Sequence, residues 1–116
     1  MPAILLNSMQ VMLGASIGAL LRYWATLFLP LPILLVNVIG SLIIGYTYNK
    51  LAIHNPQLIP FINIGLLGGL TSFSSFSLDV FNYIQEGAII KASLYIVASV
   101  LICIFCCFLG YKLASI

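Results

Sequence analysis

From Ile4 to Ala114 the chain is four apolar stretches in series, divided by breaker residues rather than by polar loops. The first runs from about Ile4 to Leu29 and stops at Pro30-Leu31-Pro32, where proline removes the backbone donor that a helix needs. The second spans about Ile33 to Ile53 and ends at His54-Asn55-Pro56-Gln57. The third extends from Leu58 to Gln85, and the fourth from about Ala88 to Ala114, with Lys112 near its exit. One bilayer crossing takes about 20 apolar residues, so 116 residues allow four helices and almost nothing else. The expected fold is an all-α membrane protein with a single four-helix transmembrane domain over residues 1–116, and any function must sit inside the bilayer.

Composition agrees. Hydrophobic residues make up 63% of the chain and charged residues 5%, where a soluble domain carries roughly a quarter charged. A net charge of +2 from four Lys/Arg and two Asp/Glu leaves no basic patch for nucleic acid. Met1-Pro2-Ala3-Ile4 has no basic segment ahead of its apolar run and does not read as a cleavable secretion signal. Cys103, Cys106 and Cys107 share one apolar stretch, have no partner cysteine elsewhere and read as packing residues. His54, beside Asn55-Pro56, reads as a loop residue.

The third stretch differs from the other three. It carries Gly65, Gly68 and Gly69, then Thr71-Ser72-Phe73-Ser74-Ser75-Phe76-Ser77, then Asp79. Glycine in a helix interior costs about 1 kcal/mol relative to alanine, and the cluster of hydroxyls competes for backbone partners. Unwound backbone at membrane depth is tolerated only where it is buried in protein or lines a wet cavity. The pattern predicts a crossing that comes apart at the Gly68-Gly69 pair, at a binding or conduction site. Phe73 and Phe76 are three residues apart and share a face if a second half-helix begins nearby. Their ring edges present weak positive charge to an anion, Ser72 and Ser75 add hydroxyl donors, and the carbonyls released from Gly68 to Thr71 suit a cation.

The remaining stretches add candidates with open readings. Gly14, Gly18 and Arg22 lie four apart on one face of the first helix; the glycines make a surface for close packing. Arg22 is either functional, as an ionisable group inside a span, or snorkels to the interface. Asn37, with Ser41 and Gly45 on its face, must find a partner, either a neighbouring helix or a permeating ion. Tyr95, Ser99, Cys103, Cys106 and Gly110 form a stripe on the last helix, a packing seam or a polar wall along which an ion loses water.

Four spans put both termini on one side. Lys50 and Lys112 fall on the terminal side and Arg22 and Lys91 on the other. Orientation follows the Lys/Arg bias of short loops, so this tie predicts insertion both ways up and an antiparallel homodimer.

Gly14-Ala15-Ser16-Ile17-Gly18-Ala19-Leu20-Leu21-Arg22-Tyr23, Val36-Asn37-Val38-Ile39-Gly40-Ser41 and Gly65-Leu66-Leu67-Gly68-Gly69-Leu70-Thr71-Ser72-Phe73-Ser74-Ser75-Phe76-Ser77 resemble, in order, the three signature stretches of the CrcB/Fluc fluoride channels. The resemblance covers the whole chain in length and span number. It implies a fluoride-selective channel of the plasma membrane that passively lets cytoplasmic fluoride escape, as an antiparallel dual-topology homodimer with two pores and a central structural sodium ion. By motif, the backbone carbonyls of Gly68 and Thr71 would hold the sodium. Phe73 and Phe76 would line the pore, Asn37 would contact fluoride, Arg22 would lie near the vestibule, and Tyr95 and Ser99 would begin a polar track. Ser72 stands where threonine is common, and Cys103, a weak donor, stands where a further hydroxyl is expected.

Fluoride is small and strongly hydrated, so its path must replace water with closely spaced donors, each weak enough to release the ion. The principal rival is a small proton-coupled multidrug exporter, which needs a carboxylate in the first helix. The only charge there is Arg22. A structural subunit of a larger complex explains the glycine seams but not the hydroxyl-rich break. Enzymatic function is disfavoured, because Asp79 and Glu86 are seven apart with no His, Cys or metal cluster beside them. Both acids read as interfacial charges ending the span, with Asp79 close enough to the break to affect ion entry.

Overall fold

The computed structural model describes residues 2–116. Met1, which opens the stretch read as no secretion signal, lies outside the described residues. Four long apolar crossings follow one another as expected: α1 (Ala3–Phe28), α2 (Pro32–His54), a third crossing over Pro56–Gln85, and a last helix, Ile89–Ala114. Its boundaries match those expected from sequence to within a residue or two, except that α2 runs through His54, which therefore ends a helix rather than sitting in a loop.

Local chemistry explains the joints. Pro32 occupies the first turn of α2, where its missing N–H is not needed. Between α1 and α2, Leu31 takes the left-handed conformation, with φ 45 and ψ 54, and turns the chain back within three residues.

The third crossing is three kinds of helix. A 3-10 turn at Pro56–Leu58 leads into a π-helical stretch at Pro60–Leu66, where the Leu67 N–H reaches back five residues to the Ile62 carbonyl. One α-helical turn follows, α3 (Leu67–Leu70), and then the helix stops. Thr71 and Ser72 are extended, with ψ 153 and ψ 115, before α4 (Phe73–Gln85) begins. The break therefore falls just after the glycine pair. Gly68 and Gly69 are themselves helical, and it is the hydroxyl residues Thr71 and Ser72 that leave the helix. Thr71 still gives its N–H to the Leu67 carbonyl and adds its Oγ1 there at 2.9 Å, and Ser72 Oγ accepts from the Ser75 N–H at 3.0 Å as the N-cap of α4.

At its far end α4 closes in a Schellman turn. Gly87, at φ 79, lets its own N–H reach the Ile84 carbonyl and the Ala88 N–H reach Tyr83. The last helix, α5 (Ile89–Ala114), then returns.

Packing divides into two pairs joined by the break. α1 lies along the first half of the third crossing, and α2 lies along α5. The first pair touches backbone to backbone: a side chain at Gly69 would overlap the Ala15 carbonyl, and Gly65 faces Val11 and Gly14 just as closely. In the second pair, Gly45 meets the Cys107 backbone and Gly110 meets Leu42 and Tyr46. These contacts bear out the close-packing reading of Gly14 and Gly18 and extend it to α2 and α5. After the break, α4 leaves α1 and packs on α5.

Little of the apolar surface is buried within the chain. The core centres on Ile33, Phe76 and Tyr95, while long rows of Leu, Ile and Phe face outward. The molecule measures 53 × 31 × 23 Å, too thin to enclose a lumen of its own.

Candidate functional site

Where the third crossing breaks, α2, α3, α4 and α5 leave a cleft of about 350 Å³. Asn37, Gly68, Thr71, Ser72, Phe73 and Ser99 are among the residues on its walls. Its geometry follows from how each polar group is already used.

Asn37 projects from α2 onto the break itself. Its Oδ1 accepts the Ser72 N–H at 2.8 Å and its Nδ2 donates to the Ser72 carbonyl at 3.2 Å. One carboxamide thus pairs with both backbone polar groups of Ser72, supplying, among the described residues, the only acceptor for its N–H and a second donor, beside the Phe76 N–H at 3.4 Å, for its carbonyl. The neighbouring-helix reading of Asn37 is the geometry observed. Its second N–H is left over, on the wall of the cleft. Ser41, one turn on, donates to the Asn37 carbonyl at 2.6 Å.

Arg22 does not snorkel freely. Its Nε donates to the Gly69 carbonyl at 3.0 Å, so the guanidinium is tied to the last turn before the break. The carbonyls of Gly68 and Thr71 receive no donor among the described residues. The N–H that would have served Gly68, from Ser72, is taken by Asn37.

Past the break, Phe73 and Phe76 lie with ring centroids 5.5 Å apart and tilted by 47°. Phe76 is buried and stacks on Tyr95, whereas Phe73 is 77% exposed. Tyr95 donates its hydroxyl to Asp79 Oδ2 at 2.7 Å. Asp79, midway along α4, is therefore held by a phenol. Tyr83 stands edge-on to Tyr95 and carries the Lys91 ammonium 4.6 Å above its ring.

The expected site residues divide by availability. The Ser72 oxygen is occupied as a cap, and the Tyr95 hydroxyl is occupied by Asp79. Ser75 lies beside them in the first turn of α4 and gives its N–H to that cap. Ser99 is different: it is 6% exposed, its Oγ has no hydrogen-bond partner, and it lines the cleft. Cys103, four residues further along α5, lines the same wall, while Gly110 serves the packing seam with α2. The stripe on the last helix therefore divides, with Ser99 and Cys103 on the cleft and Gly110 in the packing seam.

Sequence reading did not single out Asn63. The π-helical stretch turns it into the cleft, where its Oδ1 accepts from Thr47 Oγ1 at 2.6 Å. A polar residue in an apolar run was a visible signal, but the widened turn that aims it had none.

A family model described as CrcB-like protein, Camphor Resistance (CrcB), matches residues 9–111. The chain is 40% identical to a protein of Shewanella baltica (strain OS185) named "Fluoride-specific ion channel FluC", with 92% of this chain and 94% of that protein covered. It is 38% identical, with the same coverage, to a protein of that name from Shewanella piezotolerans (strain WP3 / JCM 13877).

Proposed function

Because the chain belongs to the CrcB family, we propose that it is a fluoride-selective channel, a multi-pass protein of the plasma membrane through which fluoride leaves the cytoplasm down its gradient. The observation that carries this reading is the unpartnered hydroxyl of Ser99, buried beside Phe76 on the wall of a cleft within the membrane. A buried donor left without an acceptor is destabilising, and an anion in the cleft is the acceptor it lacks. No carboxylate lies in α1 to exchange protons for a cation, so the exporter reading has no support.

The path has a physical order. Asn37 has one N–H beyond its two bonds to Ser72, Ser99 has its O–H, and Ser75 stands one turn into α4. Between these donors, Phe73 and Phe76 offer ring edges that attract an anion weakly. A strongly hydrated ion exchanges water for these groups one at a time, and none binds tightly enough to hold it. Arg22, tied to the Gly69 carbonyl, sets a positive charge beside the break. Ser72 and Tyr95 shape the path through the bonds they already make.

The proposal includes an antiparallel homodimer. One protomer is too thin to surround an ion and leaves most of its apolar surface outward, Phe73 included. It also includes a structural sodium ion. The open carbonyls of Gly68 and Thr71 are hard oxygen donors of the kind such an ion takes, and nothing lies within 4 Å of where a side chain on Gly68 would be. When bound, the ion would neutralise those dipoles and join the two break regions.

The test is efflux from proteoliposomes loaded with fluoride or chloride, with no proton or sodium gradient. Fluoride flux with little chloride flux is expected. Equal flux of the two anions, or flux only when a proton gradient drives it, would overturn the reading.

A further inference from the structure

The cleft reaches well beyond the phenylalanines. Asn37 and Thr47 are ten residues apart on α2, about 15 Å along a helix axis, and the cleft runs from Asn37 and Phe73 at one end to Asn63, the partner of Thr47, at the other. That second end lies toward Lys50, on the side of the termini.

Donors thin out along this length. Ser41 and Thr71 have spent their protons on the Asn37 and Leu67 carbonyls. On α5 the wall passes from Ser99 to Val100, Cys103 and Ile104, and a thiol is a weak donor. Across from it stands Asn63. Thr47 Oγ1 lies 2.6 Å from Asn63 Oδ1 and 3.4 Å from the Ile44 carbonyl, so its proton goes to the amide oxygen. The amide is thereby oriented with Nδ2 pointing away from Thr47, and among the described residues Nδ2 has no acceptor. The π-helical turn, in which hydrogen bonds span five residues, brings Asn63 onto the same side as Gly68, another wall residue.

We propose that Asn63 is a pathway residue: its Nδ2 hydrogens receive the anion at the terminus-side mouth of the cleft, opposite Cys103, and Thr47 fixes the amide in that orientation. This rests on the fluoride reading above and assigns it a donor on the first half of the third crossing.

Asn63→Asp is the decisive variant, because it keeps an oxygen for Thr47 to donate to and replaces the two N–H groups with an anionic oxygen. Fluoride efflux from proteoliposomes at neutral pH should fall at least about tenfold, the scale of one hydrogen bond to a charged group, with an unchanged elution profile in size-exclusion chromatography. Thr47→Val removes the tie but leaves the amide, so its efflux should fall, but by less than that of Asn63→Asp. Should Asn63→Asp misfold, Asn63→Leu takes its place, and adding Cys103→Ser to it should recover part of the lost flux by restoring a donor across the cleft. A variant at Asn63 that folds and conducts within twofold of the parent overturns the assignment. So does a Thr47→Val loss equal to that of Asn63→Asp, which would make the pair a structural tie. So does an Asn63→Leu loss that Cys103→Ser leaves untouched. A parent protein that conducts no fluoride would instead reject the underlying function.

Discussion

At the scale of single residues, the same few side chains both hold the break open and face the cleft. Asn37 is the clearest case. Asn37→Leu removes both bonds to Ser72 and leaves the Ser72 N–H unpaired, which should cost about 1–3 kcal/mol of stability. Detergent-titration unfolding followed by circular dichroism measures that loss. Phe76→Ile should separate function from fold in the opposite way. It keeps an apolar side chain against Ile33 but removes the ring that faces Phe73 and stacks on Tyr95. Fluoride efflux should be abolished while chemical cross-linking still yields a dimer; undiminished flux would reject the role given to the ring. The candidate residues themselves were legible in the sequence, because polar groups inside apolar runs are conspicuous. Which of their hydrogens remain free was not. That depends on partners 35 residues away for Asn37 and 16 away for Tyr95.

At the scale of elements, glycine does two jobs that the sequence presents identically. Gly69 touches the Ala15 backbone, whereas Gly68, its neighbour, faces open space within the protomer. Gly69→Ala should therefore destabilise the α1 contact by on the order of 1–3 kcal/mol through overpacking. Gly68→Ala should leave the chain's unfolding midpoint unlowered or slightly raised, since alanine favours the helix, while reducing the dimer fraction, because nothing among the described residues lies against Gly68. Cross-linking yield beside unfolding curves for the two variants distinguishes these outcomes. The existence of the break was readable from the hydroxyl-rich run after Gly68-Gly69. Its position was shifted by two residues, because the glycine pair remains helical where Gly69 packs against α1, while the Ser72 hydroxyl can take the Ser75 N–H as a cap. The π-helical stretch before α3 left no mark in the sequence. It packs along α1, and periodicity within one segment does not contain that contact.

At the scale of the whole molecule, the number of crossings, their ends and their order followed from hydrophobic runs and prolines alone, since a bilayer permits few other solutions for so apolar a chain. The even split of four cations between the two faces carries the remaining prediction. Adding two lysines after Lys112 should bias insertion toward one orientation. Reporter fusions at the C-terminus should then show one population in place of two. If the antiparallel dimer is the conducting form, efflux should fall with the minority orientation and recover when an oppositely biased variant is co-expressed.

The pairing of Asn37 with the N–H and carbonyl of a single residue, Ser72, has a consequence for which sequences can encode this protein. The position needs one side chain that gives and takes a hydrogen bond at adjacent atoms, and only the carboxamides do both. Glutamine, one carbon longer, overshoots, and aspartate, though isosteric, turns the donor into a second oxygen facing the Ser72 carbonyl. A chain whose lipid-facing positions accept almost any aliphatic residue thus has an alphabet of one letter at position 37.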